Sequence, residues 1–253
     1  MKKSVIITSI SALTLSFGML SMPISTMSAV NNNFNMSQYY MQSDNMEKKA
    51  DKSKVVVMDG AVTITATKEA NEGPQSIILR DIVVTSNEQK YPITIDDSLS
   101  DIRSLEVSPN KKYVAIVGNA MDGSRLIVLN LTDGKYKLIN NIVKMLKNSP
   151  DIPFCSWSPD GSKLAFTYGD PGIGRVAIYN LPDETFTYIP REVNLIGAIH
   201  MFWSKKGDTL DYVGEYKPSQ YKLYRYSLNT KKVKTIAQLT EKEVDNIWEL
   251  NKF

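Results

Sequence analysis

From Lys54 onward, short apolar runs rich in Val, Ile, Tyr and Thr alternate with clusters of turn residues. The runs show the period of two that is typical of half-buried strands, and the turn clusters recur at the 8 to 12-residue intervals typical of all-β domains. No long stretch carries a helical period, and the segment NNIVKMLKNS, residues 140–149, is the one place where a short helix is predicted. The pattern predicts an all-β fold.

The strand pattern is repeated along the chain. Residues 104–139, 155–189 and 200–236 share three landmarks: a first turn, a glycine that ends the second strand, and an Asn-Leu or Ser-Leu pair before the last strand. The first turns are Ser108-Pro109-Asn110, Ser158-Pro159-Asp160-Gly161 and Ser204-Lys205-Lys206-Gly207. A weaker copy occupies residues 54–95. Each copy therefore predicts a unit of four strands, as in a propeller blade.

One copy carries the full hallmark of a known repeat. Residues 157–166, WSPDGSKLAF, resemble the PD40 or TolB-like repeats of exported β-propellers, and the other copies match more loosely. The resemblance implies a β-propeller, whose family members commonly have six or more blades. The repeats of this chain predict about four four-stranded blades, at about 54–97, 100–141, 150–190 and 196–237, within a domain over 54–253. A C-terminal strand over 245–251 is expected to close the ring. Some form of closure is expected, because an uncovered strand edge promotes aggregation. Three forms remain open: a four-bladed ring formed by one chain, a ring completed by residues 34–41, or closure by a partner chain.

The N-terminus has the plan of a secretory signal peptide over residues 1–29. Lys2 and Lys3 precede an acid-free apolar and hydroxyl run that ends in small residues at Ser28 and Ala29. An uncleaved membrane anchor is the alternative, but Gly18 and Pro23 interrupt a run that is short for a bilayer. Residues 30–53 lack either period and are expected to be a flexible leader, with an edge strand at 34–41 as the alternative. The mature chain is thus expected to be extracytoplasmic, without stable membrane insertion.

Composition narrows the function classes. After residue 29 the chain has 28 basic and 27 acidic residues, a formal charge of +1 that does not favour nucleic-acid binding. The single cysteine, Cys155, forms no internal disulfide and is expected to be a small core residue rather than a reactive thiol.

The candidate binding residues lie on the loops of one face. With the strands of a blade lettered A to D from the inside, that face carries the B–C loops and the D–A connections. Polar residues on it are Asp96, Asp97, Asp101, Arg103, Asp122, Asp170, Arg191, His200, Glu215 and Tyr216. We expect binding through Asp122, Asp170, Arg191, His200, Glu215 and Tyr216, whereas Trp157, Ser158, Pro159, Asp160 and Gly161 are expected to form a structural turn.

Catalytic and metal chemistry are not favoured. His200 is the only histidine, which excludes a multi-histidine metal centre, and no calcium-loop spacing is present. A Ser-His-Asp triad would need His200, yet the chain has no G-x-S-x-G elbow. We therefore expect no catalytic residues, no metal and no cofactor.

A local bias suggests a further ligand. Residues 203–234 contain eight Lys or Arg against three acids, interleaved with five tyrosines. Tyrosines beside cations suit an acidic polymer or protein surface. The alternative is that the tyrosines pack between blades while the lysines remain solvated.

The expected function is therefore a non-enzymatic propeller that binds a protein partner at the cell envelope, as the TolB-like resemblance implies. A hydrolase or enzyme accessory acting on peptides or cell-wall glycans is an alternative. An inhibitor or modulator of a secreted enzyme is another.

Overall fold

A computed structural model describes residues 36–41, 46–72, 76–143, 151–170, 172–191 and 193–250. The predicted signal peptide at 1–29 lies outside these residues, as does most of the helix expected at 140–149. The described part of that segment begins with a short 3-10 turn, Ile139–Asn141.

Four antiparallel sheets follow one another along the chain, which confirms the predicted four-stranded units. Blade 1 contains β2 (Lys54–Asp59), β3 (Val62–Ala70), β4 (Ile77–Ser86) and β5 (Gln89–Ile93). Blade 2 contains β6 (Leu99–Val107), β7 (Tyr113–Ala120), β8 (Gly123–Asn130) and β9 (Tyr136–Leu138). Blade 3 contains β10 (Cys155–Trp157), β11 (Lys163–Asp170), β12 (Ile173–Asn180) and β13 (Thr185–Tyr188). Blade 4 contains β14 (Gly197–Trp203), β15 (Thr209–Lys217), β16 (Gln220–Ser227) and β17 (Lys232–Leu239). Each sheet pairs in sequence order, which is the arrangement of propeller blades.

The blades pack face to face through apolar side chains. One buried cluster joins blades 1 and 2, a second joins blades 2 and 3, and a third joins blades 3 and 4. The alternation of the strands produces these clusters because successive side chains point to opposite faces of a sheet. Both faces of a middle blade are covered in this way, which is why β8 is buried along most of its length.

A repeated tryptophan contact aligns the first strands of neighbouring blades. The indole Nε1 of Trp157 donates a hydrogen bond to the carbonyl of Glu106, at 3.2 Å. Trp203, one repeat later, donates in the same way to the carbonyl of Ser156, at 3.0 Å. Both rings are buried, and each therefore couples packing between blades to a backbone hydrogen bond.

The segment predicted as a flexible leader contains a strand, which corrects that expectation in part. Residues Met46–Ala50 form β1, which pairs antiparallel with β2 and makes blade 1 five-stranded. Its side chains are mostly exposed, so the sequence shows no apolar alternation there. Backbone pairing with β2 and an ion pair between Lys48 and Asp101, at 2.6 Å, hold it in place.

The closing strand predicted at 245–251 is wrong, because residues Glu241–Leu250 form the α-helix α1. Thr240 and Glu243 cap its N-terminus: the Glu243 Oε2 accepts from the Thr240 backbone N–H at 2.8 Å, and the Glu243 N–H donates to the Thr240 hydroxyl at 3.3 Å. This is a capping box. Val244 and Ile247, one turn apart, are buried against blade 4. The capping box and the spacing of the two buried residues therefore favour a helix over a strand in this segment.

Blade 4 is the last blade along the chain, and the face that does not contact blade 3 is covered by residues 36–41 and by α1. Tyr39, Val244 and Ile247 join Phe202 and Val213 of blade 4 in a fourth buried cluster. The backbone N–H of Tyr40 donates to the Trp203 carbonyl at 2.8 Å.

A buried ion pair fixes the N-terminal segment on blade 4. The Tyr39 hydroxyl donates to Asp211 Oδ2 at 2.7 Å, and Arg225 binds both oxygens of the same carboxylate at 2.7 Å each. Asp211 is fully buried, so these three donors replace the water that it would otherwise hold. Burial, and then the charge of Asp211, raise the pKa of Tyr39, which therefore stays protonated as a donor.

The same N-terminal stretch contacts the first and last blades. Residues 39 and 40 bond to blade 4, and β1 bonds to blade 1. Five peptide links separate residues 41 and 46, so their Cα atoms lie at most about 18 Å apart. The N-terminal stretch thus contacts both ends of the blade series, and among the described strands no shared sheet joins those two ends.

Candidate functional site

The face that carries the B–C hairpins and D–A connections, here called the loop face, combines tight hairpins with longer connections between blades. The strands extend into the predicted loops, so that β7 and β8 are joined by residues 121 and 122 alone. Gly174 allows a close approach on this face, because a Cβ there would lie 2.5 Å from the backbone nitrogen of Ala198. The backbones of blades 3 and 4 are therefore in close contact at this point.

Exposed apolar side chains are concentrated on the loop face. Among the described residues, seven large hydrophobic side chains are exposed, and six of them lie on B–C hairpins or D–A connections. These six are Ile77, Met121, Ile142, Ile173, Val193 and Ile196, and the seventh is Met41. Scattered exposed apolar residues are ordinary, but concentration on one face is typical of an interaction surface.

Sequence reasoning missed these apolar residues because it searched the loops for charge. A local signal was present: Met121 and Ile173 stand inside turn sequences, AMDGS and PGIGR, where the strand alternation gives no reason for an apolar side chain.

Asp122, a predicted binding residue, belongs to an ion-pair network between blades 1 and 2. Arg125 donates from Nε to Asp97 Oδ2 at 2.6 Å and from Nη2 to Asp122 Oδ1 at 2.5 Å. The Arg125 side chain is only 3% exposed, so two carboxylates at the surface hold one buried guanidinium. Burial alone would lower the pKa of Arg125, but the hydrogen bonds to Asp97 and Asp122 raise it. The carboxylates of Asp97 and Asp122 therefore both form ion pairs with Arg125.

Asp170 and Arg191 lie on blade 3. Asp170 is the last residue of β11, and its side chain lies outside the described part of the molecule. Arg191 is exposed, just after β13, and together with Arg175 it places positive charge near the Tyr168 hydroxyl. Burial nevertheless raises the pKa of Tyr168, which remains a neutral phenol.

His200, predicted as a binding residue on the loop face, lies within strand β14 and is buried. It occupies the β-bulge of β14 between Ile199 and Met201, with a φ of 45° that side chains other than glycine seldom adopt. Its ring stands 6.3 Å from the rings of both Phe154 and Phe202. Burial lowers the pKa of His200 to about 4, so the imidazole is neutral at physiological pH.

Glu215 and Tyr216 form a third group, at the B–C hairpin of blade 4. The Glu215 Oε1 accepts from the Ser219 backbone N–H at 3.0 Å, which stabilises the hairpin. The Lys222 ammonium lies 4.5 Å from the centre of the Tyr216 ring, a cation–π contact. The predicted binding residues are therefore spread over blades 2, 3 and 4 in separate groups.

The predicted structural turn joins β10 and β11 and is held by its own side chains. The Ser158 hydroxyl donates to Asp160 Oδ1 at 2.6 Å, and the Ser162 backbone N–H donates to the same oxygen at 3.0 Å. Gly161 has a φ of 66° and faces Asn110 of the preceding turn, whose amide donates to its carbonyl at 2.9 Å. Pro159 lies beside Gly207 of the next turn, where an added Cβ would stand 3.4 Å from the Pro159 Cδ. The turns of successive blades therefore touch one another.

Cys155 is half-buried beside this turn, and its Sγ lies 3.6 Å from a Glu106 carboxylate oxygen. Burial and the charge of Glu106 raise the pKa of the thiol well above its usual value. A thiol in this state is a poor nucleophile at neutral pH.

Two features are absent from the described residues. They contain no group of three or more His, Cys, Asp or Glu side chains placed to hold a metal ion. None of the helices within them has the length and apolar character required to cross a bilayer.

Comparison with known proteins gives similarity in structure alone. No protein-family model matches the chain, and no curated protein matches it. Among solved structures, TolB from Acinetobacter baumannii is similar at 14% identity and a TM-score of 0.42, over 73% of this chain and 49% of that one. A putative TolB from Agrobacterium tumefaciens is similar at 10% identity and a TM-score of 0.42, over 77% of this chain and 80% of that one. The β-propeller domain of the Trilobed protease from Pyrococcus furiosus, described as having an open velcro topology, is similar at 15% identity and a TM-score of 0.47, over 76% and 59%.

TolB proteins, which the repeats resemble in sequence, are thus among the similar structures. The chain spans about half the length of the A. baumannii protein. The assignment of a propeller rests on the strand order of this chain.

Proposed function

We propose that this chain is an exported, non-catalytic TolB-like propeller that binds a protein partner at the cell envelope through its loop face. The observation that carries the proposal is the concentration of exposed apolar side chains there, on the B–C hairpins of blades 1, 2 and 3 and on the connections that lead into blades 3 and 4. Apolar residues on a rigid scaffold bury area without a large loss of conformational entropy, which favours protein binding.

The state of the titratable groups supports a binding role over catalysis. The carboxylates of Asp97 and Asp122 are both held by Arg125, so neither is placed as an independent general acid or base. His200 is neutral and enclosed by phenyl rings, and its burial keeps it from a substrate on the loop face. Export is supported by the signal-peptide plan of residues 1–29.

The test compares substitutions of equally sized exposed residues on and off the loop face. Met121→Asp and Ile173→Asp place a charge in the proposed interface, whereas Met41→Asp changes an exposed methionine elsewhere. Each mature protein is immobilised and used to capture partners from envelope extract, with quantification by mass spectrometry. One partner should be captured by the native chain and by Met41→Asp, and reduced about tenfold or more by each loop-face variant, since a central contact contributes upward of 1.4 kcal/mol.

The proposal fails if the partner is retained by both loop-face variants or is lost equally with Met41→Asp. It also fails if the native protein turns over envelope peptides or glycans and Asp122→Asn abolishes that turnover, which would establish the hydrolase alternative.

A further inference from the structure

Five lysines form a patch at the corner of blade 4 opposite the loop face, here called the lysine corner. Lys205 and Lys206 lie in the A–B turn, Lys231 lies in the C–D turn, and Lys232 and Lys234 lie on the outer strand β17. All five residues are exposed.

The backbone brings these residues together. The Leu228 N–H donates to the Asp208 carbonyl at 3.0 Å, which joins the C–D turn to the A–B turn. Lys232 and Lys234 are two positions apart on one strand, so their side chains leave the same face about 7 Å from each other. The five lysines therefore lie on two joined turns and the start of the strand that follows, although they come from two separate parts of the sequence.

The charge of the lysine corner is not neutralised. None of its lysines takes part in an ion pair with another described residue. The one acid in the two turns is Asp208, whose Oδ1 accepts from the Ser204 hydroxyl at 2.7 Å. Five lysines and one aspartate give the corner a formal charge of +4, whereas the whole chain after residue 29 has +1.

At the equivalent turns of blades 2 and 3, three lysines form ion pairs. Lys137 pairs with Glu184 at 2.5 Å, Lys135 with Asp133 at 3.5 Å, and Lys163 with Asp160 at 3.8 Å. Within blade 4, the remaining acid and base of this region, Asp211 and Arg225, neutralise each other in the interior. Lys90, Lys111 and Lys112 at the turns of blades 1 and 2 also lack an ion pair with a described residue, but blade 4 carries five such lysines on two hydrogen-bonded turns and the strand that follows.

The structure separates the tyrosines from these lysines. Tyr212, Tyr224 and Tyr226 are buried among the residues between blades 3 and 4, so they offer no surface for stacking. The exposed large hydrophobic residues lie on the loop face, apart from Met41. The lysine corner thus lacks the aromatic anchors of a protein hot spot and the apolar residues that insert into a membrane interface, and it offers charge alone.

Protection of a strand edge explains only part of the patch. Lysines on an outer strand discourage pairing with other chains, which accounts for Lys232 and Lys234. It does not account for the three lysines in the turns. The exclusive use of lysine suits a flexible polyanion, because an ammonium on a flexible stem binds phosphate oxygens as a point charge and does not require the fixed bidentate geometry of an arginine fork.

We infer that the lysine corner is a docking surface for a linear, phosphate-bearing polyanion, separate from the protein-binding loop face. Such a polymer is bound by delocalised charge with release of counterions, so binding is expected to be strongly salt-dependent and tolerant of the polymer's sequence or branching.

The test uses two quadruple variants with the same change in net charge. One replaces Lys205, Lys206, Lys231 and Lys232 by Gln, and the control replaces Lys90, Lys111, Lys112 and Lys135, which lie on the turns of blades 1 and 2. Binding of linear polyphosphate, of poly-L-glutamate and of vesicles containing phosphatidylglycerol is measured between 50 and 200 mM salt. Thermal unfolding checks that both variants remain folded.

For the native chain we expect polyphosphate affinity to fall with salt at a slope of about −3 to −4 in log–log form, since each lysine contributes about 0.7. The corner variant should lose about 3 of this slope, and the control variant should keep most of it. Equal losses in both variants would overturn the inference. So would binding without salt dependence, or tighter binding to polyglutamate or to the vesicles than to polyphosphate.

Discussion

Substitution of Asp160 tests whether its carboxylate stabilises the turn between β10 and β11 of blade 3. It accepts hydrogen bonds from Ser158 and from the backbone of Ser162 through Oδ1, and from the Ser162 hydroxyl through Oδ2 at 2.7 Å. Partial burial alone would raise the pKa of Asp160, but these hydrogen bonds lower it to about 2. The charged form is therefore the one that the turn stabilises.

The magnitude follows from this shift. A fall from 3.8 to about 2 corresponds to roughly 2 kcal/mol if none of the effect is screened. The side chain is 61% exposed, so solvent screening reduces the contribution to about 1 kcal/mol. Because the folded-state pKa is the lower one, this stability is present above pH 3.8 and is lost as the pH falls toward 2.

The perturbation is a pair of variants, Asp160→Ala and Asp160→Asn. Asparagine occupies the same position of the turn in blade 2, where Asn110 Oδ1 accepts from the Ser108 hydroxyl at 2.8 Å and from the Lys112 N–H at 3.0 Å. Asp160→Asn should therefore keep the main hydrogen bonds and lose the charge. At pH 7 we expect Asp160→Ala to lower the free energy of unfolding by about 1 kcal/mol and Asp160→Asn to lower it by less.

Urea unfolding between pH 7 and pH 2.5 measures both effects. The difference between native protein and Asp160→Ala should shrink as the pH falls below 4. The reasoning is refuted if the two variants are equally destabilised at pH 7, or if the difference does not change with pH. Partner binding by folded Asp160→Ala should match that of the native chain, since the turn lies opposite the loop face.

Two further measurements test the His200 environment and the close approach at Gly174. Burial holds His200 neutral with a pKa of about 4, so the unfolded chain binds a proton that the folded chain does not between pH 6.5 and 4. The free energy of unfolding should therefore fall by up to about 3 kcal/mol as the pH is lowered from 6.5 to 4. His200→Asn, in which asparagine tolerates the positive φ, should show a smaller fall when urea unfolding is measured at each pH. Gly174→Ala would place a Cβ 2.5 Å from backbone and should lower the unfolding free energy by about 1–3 kcal/mol, whereas Gly197→Ala, with no atom within 4 Å, should change it little. Equal thermal shifts for the two glycine variants would contradict the described contact.

The blades could be predicted because their signals are local. The hydrogen bonds of the Ser158 turn link residues two to five positions apart, and the alternation of each strand needs only its own residues. The helix α1 also had local signals, the Thr240–Glu243 capping box and the Val244–Ile247 spacing, but the expectation of a closing strand took precedence over them. That error came from reasoning on topology, and the helix pattern was available in the sequence.

The sequence by itself determined the strand period, the turns and the number of blades, because these depend on contacts within a few residues. Only the tertiary structure decided what covers blade 4, since Tyr39 reaches Asp211 across 172 positions of the chain. It also decided which predicted residues are surface and which are core: His200 and three of the blade 4 tyrosines are buried, while five lysines converge at one corner. A radial fold juxtaposes hairpins that are far apart in sequence, so the surfaces available for binding follow from packing between blades rather than from any single repeat.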